Sequence, residues 1–175
     1  MHPVEIENTL KTLTLIVDTR EQDTARARRR LSRIGLPYVR KALYFGDYSC
    51  YVTLPDGAEL DFSGSVSVER KMDLDEIIGC FTKHRARFAR EFERADNHNA
   101  KLYLLIENAS WEKVVKGKYR SRMSAKALFA SLTAWLARYN CQLIMCDELT
   151  SPLLIKEILY REAKERLGGF NYDRI

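Results

Sequence analysis

Two short apolar runs, Leu13-Thr14-Leu15-Ile16-Val17-Asp18 and Leu102-Tyr103-Leu104-Leu105-Ile106-Glu107, each end on an acid. A run without polar alternation has no face to give to water, so it reads as a strand buried on both sides. Such strands need helices above and below their sheet, and the rest of the chain supplies them. From Asp23 to Ile34, Ala27, Leu31 and Ile34 share one helical face and Arg26, Arg29, Arg30 and Arg33 share another, until Gly35 and Pro37 stop the helix. Extended runs follow at Tyr38–Leu43, Asp47–Leu54, Ala58–Phe62 and Ser65–Glu69, punctuated by Gly46, Pro55-Asp56-Gly57 and Ser63-Gly64. They predict an antiparallel meander.

The second half reads as mainly helical. Asp73 with Glu76 has the form of a capping box opening a helix to about Cys80. Thr82–Ala95 follows, with Phe81, Phe88 and Phe92 as its apolar stripe and Lys83, Arg87, Arg90 and Arg94 on the opposite face. Beyond the strand at 102–106, the pattern gives a helix over Ser124–Tyr139, a strand over Gln142–Met145 and a helix over Ser151–Arg166 capped by Ser151 or Thr150. The expected class is α/β, a mixed central sheet with helices on both faces. We expect residues 1–12 as an N-terminal extension, 13–167 as the folded domain and 168–175 as a tail.

Composition removes several classes. No stretch approaches the ~20 apolar residues that span a bilayer, and the start, Met1-His2-Pro3-Val4-Glu5, lacks a secretory pattern. The four cysteines form no CxxC pair and read as reduced thiols in a cytoplasmic protein, nucleoid-associated if bacterial or phage. A net charge of +5 points to an anionic partner.

The chemistry concentrates in Val68-Glu69-Arg70-Lys71 and in Gly46-Asp47-Tyr48 across the meander. Residues two apart on a strand face the same side, so Glu69 and Lys71 point together and Arg70 points away. If the strand of Asp47 lies beside that of Glu69, two carboxylates converge where one Mg²⁺ or Mn²⁺ would bind through hard oxygen ligands. Lys71 beside them would orient a water or help deprotonate it. Asp18, Asp47, Glu69 and Glu107 all sit at the ends of apolar stretches, where neighbouring strands meet at one sheet edge.

Leu15-Ile16-Val17-Asp18-Thr19-Arg20-Glu21, Gly46-Asp47-Tyr48 and Val68-Glu69-Arg70-Lys71 with Asp75 follow V-D-x-R-E, G-D-Y and E-R-K-x-x-x-D in order. In this the chain resembles the XPF/Hef family of structure-specific DNA endonucleases, over roughly residues 13 to 165. The resemblance implies a restriction-endonuclease-like core that cuts DNA at flaps, forks or four-way junctions in repair, recombination or replication. It also implies Asp47 and Glu69 as metal ligands, with Asp18 ligating or orienting the metal shell and the Arg70 carbonyl as a further ligand. Lys71 would be the catalytic lysine, and Arg20 and Arg70 would grip phosphate. Asp75 matches the last acid of the motif, but it equally suits the first turn of a helix.

DNA phosphates are expected on Lys83, Arg85, Arg87, Arg90 and Arg94, on the arginines after Asp23, and on the polar loop Gly117–Arg122. His84 reads as a surface residue. Family members usually append a helix-hairpin-helix domain. This sequence has no room for one and no phosphate-binding loop of a fused helicase, so it reads as a stand-alone nuclease domain. The Asp56–Gly64 stretch lengthens the interval between Asp47 and Glu69. Apolar residues on several faces of the 124–139 helix suggest a homodimer, and a helicase or other repair protein is a possible partner. The alternative is a catalytically silent DNA-binding or scaffold subunit.

Overall fold

The computed structural model describes residues 1–169, and the remainder of the expected 168–175 tail lies outside the described residues. The elements run α1 (Pro3–Leu10), β1 (Thr14–Val17), α2 (Ala25–Ile34), β2 (Tyr38–Arg40), β3 (Tyr48–Thr53), β4 (Glu59–Asp61) and β5 (Val66–Lys71). They continue with α3 (Leu74–Phe81), α4 (Arg85–Asn97), β6 (Lys101–Glu107), α5 (Trp111–Val115), α6 (Ala125–Arg138), β7 (Cys141–Cys146) and α7 (Ser151–Gly168). One mixed sheet orders its strands β2-β1-β3-β5-β6-β7, with β4 hung on β3. β5, β6 and β7 are parallel, while β3 runs antiparallel to both β1 and β5. The expected meander does not form: β4 and β5 each pair antiparallel with β3 and not with one another, among the described residues. β2 is three exposed residues parallel to β1 on its far side, because the tie from Lys41 N–H to Val17 O ends its pairing.

The pleat separates two cores. Leu15 and Val17 of β1, Tyr48, Cys50 and Val52 of β3, and Val66 and Val68 of β5 pack beneath α1, α2 and α7. Leu102, Leu104 and Ile106 of β6 turn to the other face, against Ile77 of α3, Phe88 and Phe92 of α4, and Leu128, Leu132 and Trp135 of α6. Trp135 sits among Phe81, Phe88, Phe92 and Tyr139 at ring separations of 5.1–5.5 Å. Residues 1–12 carry a helix that the sequence reading did not anticipate. α1 buries Ile6, Thr9 and Leu10, with Ile6 and Leu10 packed in the same core as α7, and its Glu7 pairs with Lys164 of that helix.

Alternation decides where the polar strand ends go. With Val66 and Val68 committed to the α1/α2/α7 face, Arg70 must follow them, and Glu69 and Lys71 must face α3 and α4. Tyr48 fixes β3 in the same way and turns Asp47 toward Glu69. Positive φ at Gly46 (75°) lets the chain enter β3, and a Cβ there would stand 2.6 Å from the Ser67 Cβ. No other residue fits that corner.

Candidate active site

Asp47, Glu69 and Lys71 line one cavity of about 370 Å³ together with Arg20, Glu76, Cys80, His84, Arg87, Phe88 and Glu91. Asp47 is locked at the junction of three strands. Its N–H donates to Val68 O (2.8 Å), its carbonyl accepts from Asp18 N–H (2.9 Å), and its Oδ2 accepts from Arg70 N–H (2.8 Å). Glu69 is buried; Lys71 Nζ binds its Oε1, and Oε2 is buried with no hydrogen-bond partner. Burial, and then the Glu69 charge, push the Asp47 carboxyl up to about 8. Burial also raises Glu69 against the pull of Lys71. Burial acts to lower Lys71, but Glu69 and then Asp47 outweigh it, so the amine is held firmly as an ammonium.

Asp47, Glu69, Glu76 and Glu91 set four acids against the three permanent cations Lys71, Arg20 and Arg87 around this cavity, and an acceptor oxygen without a donor is costly when buried. A hard divalent cation fits such a donor set. Among the described residues no group of three or more His, Cys, Asp and Glu side chains forms a metal cage. Two carboxylates with open water positions are the sparse protein shell that Mg²⁺ tolerates.

The remaining expected site residues divide. Asp18 is buried and fully engaged: Oδ1 accepts from Arg20 N–H and Nε–H (2.7 Å each), and Oδ2 accepts from Leu43 N–H (2.7 Å) and Arg20 Nη2 (3.1 Å). No lone pair faces the cavity, so Asp18 does not join Asp47 and Glu69 as a ligand in this arrangement. It fixes Arg20, half exposed at the cavity rim. Arg70 also turns from the cavity. Its side chain lies across the sheet, bound to Glu107 (3.0 Å) and near Glu21 (3.8 Å), and does not line the cavity of Asp47. Glu107 likewise turns from the cavity; it is fully buried against Arg26, Arg30 and Arg70.

Asp75 holds the 120s loop. It accepts from Arg120 N–H and Nε–H and from Ser121 N–H, and although burial acts to raise its carboxyl, these donors hold it below the usual range. The expected basic stripe is broken, because 82–84 form a turn and α4 begins only at Arg85. Lys83 sits in that turn, Arg87 lines the cavity of Asp47 and Glu69, and Arg90 is exposed. Arg85 lines the groove between α4 and α6 beside Arg138, and Arg94 donates to Tyr44 O (2.6 Å).

Two acids line the cavity that the sequence reading did not place there, Glu91 and the Glu76 it read only as a helix cap. Glu91 accepts from Gly46 N–H (3.1 Å) and stands 3.8 Å from Arg20, and Glu76 caps Met72 N–H (2.6 Å) 4.0 Å from Lys71. Their helical spacing from Arg87 and Cys80 was the available signal.

A family model described as the ERCC4 domain matches residues 17–151. No curated protein matches the chain. Solved structures do, 27 chains in all. One, XPF from Aeropyrum pernix, is 23% identical with a TM-score of 0.60, and the match covers 85% of this chain and 61% of that one. The chain thus spans about three fifths of that structure, whose restriction-endonuclease-like fold it shares. With the family model spanning most of the sequence and all three motif segments on one sheet end, the chain belongs to the ERCC4 domain family of XPF-type nucleases.

Proposed function

We propose that this domain is a Mg²⁺- or Mn²⁺-dependent endonuclease that hydrolyses DNA phosphodiesters at branches or single/double-strand junctions. The observation that carries this reading is the convergence of Asp47, Glu69 and Lys71 on one cavity, with the Glu69 Oε2 buried and unpartnered. Asp47 and Glu69, with the Arg70 carbonyl, would hold the cation. A bound divalent cation supplies Lewis acidity toward a phosphoryl oxygen. Lys71, an ammonium tied to Glu69, presents positive charge to the phosphate and can hold an attacking water by donating a hydrogen bond to its oxygen. Arg20, pinned by Asp18 and reaching the cavity rim, is placed to grip a non-bridging phosphate oxygen. Lys83, Arg85, Arg87 and Arg90 are exposed around the same end of α4 and would follow the flanking backbone.

Cleavage of labelled flaps, forks, four-way junctions and plain duplex with Mg²⁺, Mn²⁺ or EDTA tests this. Metal-dependent cutting of branched substrates is expected, with Asp47→Asn and Lys71→Ala losing at least about a thousandfold in rate while binding DNA. Unchanged cutting by either variant would refute the assignments. DNA binding without cutting in any metal would instead mark a catalytically silent subunit.

We further propose a homodimer through the outer side of α6. Phe129 (43% exposed) packs edge-on to Trp111 (41% exposed) at 5.6 Å, a large apolar pair left open to water. Light scattering at micromolar concentration should show twice the chain mass, and a strict monomer would remove this reading.

A further inference from the structure

The face of the sheet opposite the catalytic cavity carries a second, basic cavity. Arg26, Arg29, Arg30 and Arg33 of α2 line about 360 Å³ against Glu148, Leu149 and Pro152. This is not a loose set of surface arginines. Arg30 is buried, its Nη1 bound to Glu21 (3.0 Å) and to the Tyr48 hydroxyl (3.0 Å), and its Nε lies 3.4 Å from Glu107. Arg26 is fixed between Glu148 (2.7 Å) and Glu107 (3.3 Å). The acids nearby are thereby committed to the inner two arginines. Arg29 and Arg33, one turn apart, are exposed, and their side chains make no hydrogen bond or ion pair among the described residues. A rigid floor of paired guanidiniums with two unneutralised ones at its mouth suits an anion with several oxygens, which guanidiniums bind in forked geometry.

Position identifies the anion. Tyr48 follows Asp47, and Arg70 lies between Glu69 and Lys71, so the network flooring this cavity is the reverse side of the catalytic strand ends. We propose that the α2 cavity binds a DNA phosphodiester of a second arm, so that one branched substrate straddles the end of the sheet with its scissile strand on the α4 side. The proposal rests on the nuclease reading and deepens it, since a linear duplex would engage one face where a fork engages both.

Equilibrium binding in EDTA tests it without cleavage and therefore independently of the catalytic assignment. Arg29→Gln/Arg33→Gln should weaken fork binding about tenfold or more at 150 mM salt and lower the slope of log K against log salt by roughly 2, near 0.9 per lost phosphate contact. Plain duplex of equal length should lose much less. Arg161→Gln on α7 removes a surface cation already paired with Glu157, and should leave both substrates unaffected. An equal loss on fork and duplex, an equal loss from Arg161→Gln, or an unchanged salt slope would overturn the proposal. So would saturable binding of inorganic phosphate that Arg29→Gln/Arg33→Gln abolishes while fork binding persists, because the cavity would then serve a free anion. If the wild type cuts no branched DNA, the nuclease reading fails while these outcomes still decide the cavity's role.

Discussion

Asp47→Asn should make the metal-free protein more stable while removing its chemistry. Burial and the neighbouring Glu69 charge raise the Asp47 carboxyl from 3.8 to about 8. A carboxyl with a folded pKa above its unfolded one costs nothing at pH values below the unfolded pKa. The cost grows as pH rises through the window between the two values and is complete above about 8. At about 1.4 kcal/mol per unit, the window up to pH 7.5 sets a ceiling near 5 kcal/mol. The pull of Lys71 is already contained in that value, but Asp47→Asn also takes one of two carboxylates from beside the Lys71 ammonium, while retaining an oxygen to accept from Arg70 N–H. About 1–3 kcal/mol of net gain is therefore expected, or roughly 3–10 °C in Tm for a domain of this size. Thermal unfolding in EDTA at pH 7.5 and 4.5 measures it, with the gap shrinking to within about 3 °C at the lower pH. Saturating Mg²⁺ or Mn²⁺ should reverse the order by stabilising only the wild type. A variant no more stable than wild type at pH 7.5, or an equal gap at both pH values, would refute the reasoning.

Three further outcomes follow from the same geometry. Asp18→Ala strands the buried Leu43 N–H and frees Arg20, so denaturant unfolding should show a loss of about 1–3 kcal/mol, with turnover falling alongside. Burial acts to raise the Asp18 carboxyl, but its bonds to Arg20 and Leu43 hold it below 3.8, so its contribution should persist above that pH and disappear on further acidification. Glu107→Ala takes their shared partner from buried Arg30 and half-buried Arg70 and should cost about 3–5 kcal/mol, visible as a lowered urea midpoint at unchanged slope. Trp135→Ala opens the ring cluster beneath α4 and α6 and should cost about 3–5 kcal/mol; a loss below ~1 kcal/mol would show that the cluster collapses around the gap.

The parts of the fold that sequence made legible are those set by period and punctuation. β1 and β6 announce themselves because unbroken apolar runs have only one comfortable place, and α2 because Gly35 and Pro37 end an amphipathic stretch. α1 was hidden, since its cap is His2, whose Nδ1 accepts from Val4 N–H at 3.4 Å, an uncommon choice for that position. β2 was overextended because Leu43 is apolar for a different reason: its side chain is buried in a loop and its N–H serves Asp18. At the site, strand alternation predicts the common facing of Glu69 and Lys71 and the turning away of Arg70, while Asp47 joins them only because its strand pairs beside theirs. Sequence could not show that Asp18 spends all its lone pairs on Arg20 and Leu43, because saturation of a carboxylate depends on a loop approaching from residue 43. For Glu91, helical spacing from Arg87 was a signal, but its partner, Gly46 N–H, lies 45 positions away and only the fold brings the two together.

The most direct test of the account is calorimetric titration of Mn²⁺ into the DNA-free protein. The wild type should bind one ion, Asp47→Asn and Glu69→Gln should each weaken that binding at least about tenfold, and Asp61→Asn, far from the cavity, should leave it intact. Undiminished Mn²⁺ binding in both Asp47→Asn and Glu69→Gln would show that the orphaned Glu69 oxygen is not where the cation belongs.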